Sequence, residues 1–298
     1  MKKWLIGGMI VAALAVMVAF LWPLSSVAQQ AQYRAPRAAD GKPDLNGVWQ
    51  ALNNAHWDIE DHAARQGPVF SLGAAFSVPE SSGIVEGGEI PYRPEMLARK
   101  KDNLENWISR DPEVKCFLPG VPRATYMPHP FQIVQTPSQV LMAYEYANAS
   151  RTIYMDEKLE EAPNDFWMGW SKGRWEGDTL VVDVTGFNGE TWFDRAGNFH
   201  SKAMTVVERI TPRSTETLNY EATITDPETF TRPWKISMPL YRRVEKNAQL
   251  TEYRCVEFSE DVVYGHLAKP PGAPASPPPA GGRGGPPAGG RRGAPPQQ

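Results

Sequence analysis

The chain has 298 residues with 31 Lys and Arg against 34 Asp and Glu; Lys2, Lys3, Lys269, Arg283, Arg291 and Arg292 lie outside 29–268, which leaves that body 25 basic and 34 acidic residues, a net of −9. An acidic body excludes nucleic acid and anionic surfaces as its main partners, since both demand clustered cations. With only Cys116 and Cys255 present, the chain predicts one disulfide if it is exported, and metal binding by two isolated thiolates is the weaker alternative.

Export is what the first residues predict. Lys2 and Lys3 precede an apolar run over 5–22, and Ser26 and Ala28 follow with the small side chains a signal peptidase accepts. Residues 1–28 therefore read as a secretory signal cleaved after Ala28, or as an uncleaved anchor because the run is long. Either way the body is periplasmic or secreted, and a membrane is a partner only if the segment is uncleaved. Residues 29–43 read as a flexible leader, 44–268 as a single β-rich domain, and 269–298, almost wholly Pro, Gly, Ala and Arg, as a disordered tail.

The domain opens with Asp44-Leu45-Asn46-Gly47-Val48-Trp49. This Gly-x-Trp is similar to the start of lipocalin-type barrels, where the Trp plugs one end. In the run from His56 to His62, an extended backbone would put His56, Asp58, Glu60 and His62 on one face, in reach of a divalent metal; a charged, solvated turn is the favoured alternative, and no metal is assigned. Residues 66–89 are rich in Gly, Ser and Pro and read as a surface loop. Residues 92–111 read as the one helix, with Pro94 in its first turn and Pro112 at its limit. Residues 115–123, Lys-Cys-Phe-Leu-Pro-Gly-Val-Pro-Arg, form a proline-clamped turn. It either aims Arg123 at an anionic group or makes a structural corner with that Arg exposed.

A meander follows. Strands are expected near 131–136, 140–146, 151–155, 169–175, 179–185, 204–211, 217–225, 235–241 and 249–256, alternating apolar and polar residues with short gaps of Pro, Gly, Asn or Asp. The turn Glu176-Gly177-Asp178 reads as a hairpin. Pro239 implies an edge or a bulge in its strand. Glu208 is in phase with Met204, Val206 and Ile210, so it needs a cation, a strong donor or water; Arg151, in phase with Ile153 and Met155, is the partner expected. The connection 186–203 holds Trp192, Asp194 and His200, and its aromatic content predicts order. The fold class is thus mainly β: an antiparallel meander closing as a lipocalin-like barrel or sandwich, with one helix N-terminal to it.

Two chemistries fit such a scaffold. In the first, a small, largely apolar ligand is held by Met204, Tyr220, Trp234 and Met238, with Arg123, Arg151, Trp192 and Tyr220 as candidate ligand-binding residues and Glu208 as a polar anchor; the same side chains can instead simply fill a core. In the second, Asp194, His200 and Glu208 act as orienter, base and acid of a hydrolase or lyase. No nucleophile elbow, phosphate loop, dinucleotide fingerprint or zinc-protease motif is present, and no cofactor is expected. The motifs Lys-Cys-x-x-Pro-Gly-Val-Pro-Arg at 115–123, Gly-Arg-Trp-Glu-Gly-Asp-Thr-Leu-Val-Val-Asp at 173–183, Thr-Gly-Phe-Asn at 185–188, and Phe-His-Ser with Val-Val-Glu-Arg within 199–209 resemble an uncharacterised family of secreted proteins from soil bacteria. The resemblance spans most of 44–258, excludes the tail and implies no activity or cofactor. It singles out Arg123, Trp175, Asp178, Asp183, Trp192, Asp194, His200 and Glu208.

Overall fold

Alternating side chains curl this chain into a closed barrel. The computed structural model describes residues 33–267 except 68, 157 and 159; the predicted signal or anchor and the predicted tail from 269 lie outside them. Among the described residues no helix is long and apolar enough to cross a membrane. Nine strands run β1 (Gly47–Ala51), β2 (Phe131–Gln135), β3 (Gln139–Tyr144), β4 (Ser150–Tyr154), β5 (Trp170–Glu176), β6 (Thr179–Thr185), β7 (Thr205–Pro212), β8 (Thr217–Thr225) and β9 (Trp234–Arg242), each paired with the next. Closure comes from β9 pairing back on β1, with Trp49 opposite Arg242 and Ala51 opposite Leu240. Among the described strands each one is therefore paired on both sides, which leaves no free edge strand.

Burial follows the alternation. Val206, Glu208 and Ile210 of β7, Leu218, Tyr220, Ala222 and Ile224 of β8, and Trp234, Ile236, Met238 and Leu240 of β9 face inward and are buried. The hairpin between β5 and β6 turns on Gly177 and Asp178, with Glu176 opposite Thr179. Gly177 has φ +60°, a conformation that Gly adopts without steric cost. Pro239 pairs with Asn219 of β8 and lies one residue beyond the stretch that β1 covers, so its missing N–H disrupts no second ladder.

The structure departs from a simple antiparallel meander in three places. β4 and β5 pair in parallel, Ile153 with Ser171 and Tyr154 with Lys172, because the connection over 155–169 returns the chain to the same end of the barrel. The predicted last strand at 249–256 is not a strand. β1 already occupies the free side of β9, so this segment crosses the outside, donating from Thr251 N to Glu145 Oε2 at 2.8 Å and from Phe258 N to Val114 O at 2.7 Å. It then ends in a short C-terminal helix, α4 (Ser259–Tyr264). Finally, because 47–51 is itself the first strand, the helical region sits inside the β1–β2 connection. It is broken at Asn106 into α1 (Leu97–Glu105) and α2 (Trp107–Arg110), and α3 (Arg123–Tyr126) follows.

One end of the barrel is plugged by Trp49. Its indole N–H donates to Leu45 O at 3.0 Å, and the Arg242 guanidinium lies 4.2 Å above the ring while donating to Asn46 O and Thr215 O. From residue 33 the leader lies against this end: Ala35 is buried and Arg37 pairs with Asp178 at 2.8 Å. The opposite end is covered by the β1–β2 connection, the β4–β5 connection and the 186–203 loop.

Candidate functional site

Inside the barrel the expected pair forms. Arg151 meets Glu208 through two parallel bonds, Nη1 to Oε2 at 2.7 Å and Nη2 to Oε1 at 2.9 Å, and Tyr220 donates its hydroxyl to Oε1 at 2.7 Å. All three are buried, amid a contiguous core that includes Met142, Tyr144, Ile153 and Met238. Burial, and then the Glu208 carboxylate, raise the Tyr220 phenol well above its ordinary value. Both oxygens of Glu208 are thus occupied, Oε1 by Arg151 and Tyr220 and Oε2 by Arg151, while the buried Nε of Arg151 has no hydrogen-bond partner among the described residues.

The 186–203 loop is ordered by its own polar groups. Asp194 is fully buried and accepts from Ile59 N at 3.0 Å, Asn198 N at 3.1 Å and Asn198 Nδ2 at 2.7 Å. Burial, with neighbouring Asp58 second, pushes Asp194 up to about 7. His200 Nδ1 lies 2.8 Å from Ser201 O, which can only accept, so Nδ1 carries the proton and Nε2 accepts from the Thr191 hydroxyl at 2.6 Å. Burial lowers His200 to about 4, which keeps the ring neutral between Phe187 and Phe193. No hydrogen bond between described residues joins Asp194, His200 and Glu208: the first two hold the loop, and the third holds the barrel interior.

Arg123 is aimed at anions, and they are the protein's own. The turn at 115–123 leads into α3, and the guanidinium donates to both oxygens of Asp111 at 2.7 and 2.8 Å and to Glu113 Oε2 at 2.7 Å. Gly120, at φ +75°, lets this turn pack against the 186–203 loop, since a Cβ there would lie 2.6 Å from Thr191 Oγ1. Glu113 also takes two bonds at 2.8 Å from Arg195, whose guanidinium lies 4.7 Å from both the Trp57 and Trp107 rings and reaches Glu260 of α4 at 3.2 Å. Burial alone would raise Glu113; Arg195 and Arg123 outweigh it and hold the carboxyl at about 2. His56 borders this network, and burial lowers it to about 4. The extended alternative for 56–62 does not form: the run is a turn, with Asp58 paired to Arg65, Glu60 to Lys100, and His62 Nδ1 facing Ala63 O. Among the described residues no group of three or more His, Cys, Asp or Glu is placed to hold a metal ion.

The disulfide Cys116–Cys255 is formed, with Cα atoms 5.7 Å apart. It fastens the outer crossing segment to the turn that follows the helices. Cys116 is flanked by Lys115 and Phe117, and both line a cleft of about 320 Å³ at the barrel end opposite Trp49. Three connections build this cleft. Arg99 and Asn103 come from α1, Trp192 from the 186–203 loop, and Trp167 from the β4–β5 connection. The loop is seated on α1 so closely that a Cβ on Gly197 would lie 2.5 Å from Leu104 N, and Asn103 donates to Gly197 O at 3.2 Å. The β4–β5 connection is tied to the loop by Phe166 N donating to Gly186 O at 2.7 Å. Phe117, itself 46% exposed, packs against Trp167 with ring centroids 4.9 Å apart and planes tilted by 37°, and buried Trp192 lines the same cleft.

Of the residues the sequence singled out, only Trp192 reaches this cleft. Trp175, Asp178 and Asp183 belong to the β5–β6 hairpin, where Arg174 pairs with Asp183 and Arg37 with Asp178. Arg99, Lys115, Phe117 and Trp167 were missed, although Lys115 and Phe117 stand inside the quoted motif around Cys116. No family model matches the chain, and no curated protein matches it.

Proposed function

We propose that this is an exported barrel protein that binds a small, flat, largely apolar molecule in the cleft between Phe117, Trp167 and Trp192. The observation that carries this reading is an aromatic-walled cleft of about 320 Å³, a size at the lower end of ordinary ligand sites. It lies outside a barrel whose inward side chains already pack against one another. Aromatic walls favour a flat partner through offset and edge-on contacts. Export is supported by the Cys116–Cys255 bridge, which persists in oxidising compartments.

The test is a fluorescence titration of the protein with phenylnaphthylamine, a neutral aromatic probe. Saturable binding that weakens about three- to tenfold in Trp167→Ala supports the cleft. Binding that is indifferent to Trp167→Ala but abolished by Ala222→Trp, which fills the barrel, would place the ligand inside and overturn the proposal.

A further inference from the structure

We infer that the cleft selects a ring-bearing monoanion, an aromatic carboxylate or sulfonate, through Arg99 and Lys115; this rests on the cleft being a small-molecule site. Three cations line it: Arg99, Arg110 and Lys115. Arg110 is committed to Asp102. Among the described residues Arg99 and Lys115 make no ion pair; Arg99 has only the ring of Phe199, 4.1 Å from its guanidinium carbon. By contrast, the buried Arg123, Arg151 and Arg195 all pair with carboxylates. Two cations without a carboxylate partner, gathered in one aromatic cleft, are thus available to an anionic ligand.

Glu190 is the one carboxylate in the lining. Set against Arg99 and Lys115, it leaves a surplus of one positive charge, which matches one negative charge better than two. The arrangement also divides the work. A planar guanidinium on α1 can take a carboxylate or sulfonate through two bonds, and a point charge on Lys115 can close on it from the disulfide-pinned wall. The ring of the ligand would then lie toward Phe117, Trp167 and Trp192. The overall negative charge of the body does not oppose this at contact range, because charges more than about 8 Å away are screened at physiological salt.

Two probes test this: anilinonaphthalene sulfonate, and phenylnaphthylamine, which has the same rings without the sulfonate. Both are titrated into the full protein and into the variant carrying Arg99→Gln with Lys115→Gln, after circular dichroism has confirmed that the fold is kept. The sulfonate is expected to bind about tenfold more tightly than the neutral probe, and this ratio should fall to about one in the variant. If the double variant fails to fold, Arg99→Gln on the exposed side of α1 serves alone, with the ratio reduced by about half its logarithm. Equal affinities in the unmodified protein, or a ratio that the variant leaves unchanged, overturn the anion inference while leaving the binding reading intact. If neither probe binds in a manner weakened by Trp167→Ala, the cleft reading itself falls.

Discussion

Replacing Glu208 by Gln keeps the volume of the barrel interior but removes the charge that Arg151 faces. The guanidinium is buried and gives both of its terminal nitrogens to Glu208 at 2.7 and 2.9 Å, so it cannot recover its hydration without opening the barrel. Breaking such a pair from one side costs about 3–5 kcal/mol. In a domain of this size each kcal/mol moves the melting point by about 2–4 °C, so the transition should fall by about 10 °C. Urea unfolding with the disulfide intact measures the free energy directly. A second variant, Arg151→Met with Glu208→Leu, removes both charges together and should recover most of the loss, because apolar replacement of a buried pair is often neutral. It leaves the Tyr220 hydroxyl without its acceptor, at a cost of about 1–3 kcal/mol, and adding Tyr220→Phe should restore that part. The expected order of stability is triple above double above single. If Glu208→Gln costs less than about 1 kcal/mol, Arg151 is hydrated, the interior is open to water, and the description of a packed barrel is wrong.

Two further outcomes follow from groups already placed. His200 and His56 are each lowered from 6.5 to about 4, so their contribution is present above pH 6.5 and lost as pH falls toward 4, while Asp194, raised from 3.8 to about 7, works in the opposite direction across that window. Asp111 and Glu260 are raised as well, so the prediction rests on the difference between proteins: without its lowered imidazole, His200→Asn should lose less stability, or gain more, as pH drops from about 6.5 to 5 than the unmodified protein does; calorimetry showing a larger loss in the variant would contradict this. Replacing both cysteines by Ser removes a bridge between residues 139 apart, and should lower the unfolding free energy by up to about 5 kcal/mol on the loop-entropy model. Unchanged urea midpoints for the reduced and oxidised protein would mean that the outer crossing segment is held without the bridge.

The barrel was legible because its strands are half-buried, so that each writes a period of two into the chain; Glu208 stood out as the one carboxylate in phase with Met204, Val206 and Ile210. Arg151 could be named as its partner for the same reason. Strand direction leaves no such mark. Nothing in residues 155–169 says that the chain returns to the same end before β5, and so the parallel pair could not be seen. The segment 249–256 carries strand-like composition, but whether it pairs depends on the free side of β9 being open, and β1 had closed it from some 190 residues away. Arg123 could be read either as facing an anion or as exposed at a corner; it is buried, and its carboxylates, Asp111 and Glu113, belong to a turn before it whose folding back is a tertiary event. The cleft was hidden for a similar reason. Lys115, Trp167 and Trp192 sit on three connections, and no local pattern brings those together.

The parallel pairing of β4 and β5 also bears on how the barrel opens. It is the shortest ladder, two residue pairs against eight between β7 and β8, and a zipper parts where it has fewest teeth. Amides of β4 and β5 should exchange with solvent water sooner than those of β8, since local opening follows the least supported unit. Arg151 sits on β4 beside this seam, and its partner Glu208 is on β7, two strands beyond β5. The interior charge pair is thus a tie-rod thrown across the gap, holding β4 to the far wall where the backbone ladder holds it least.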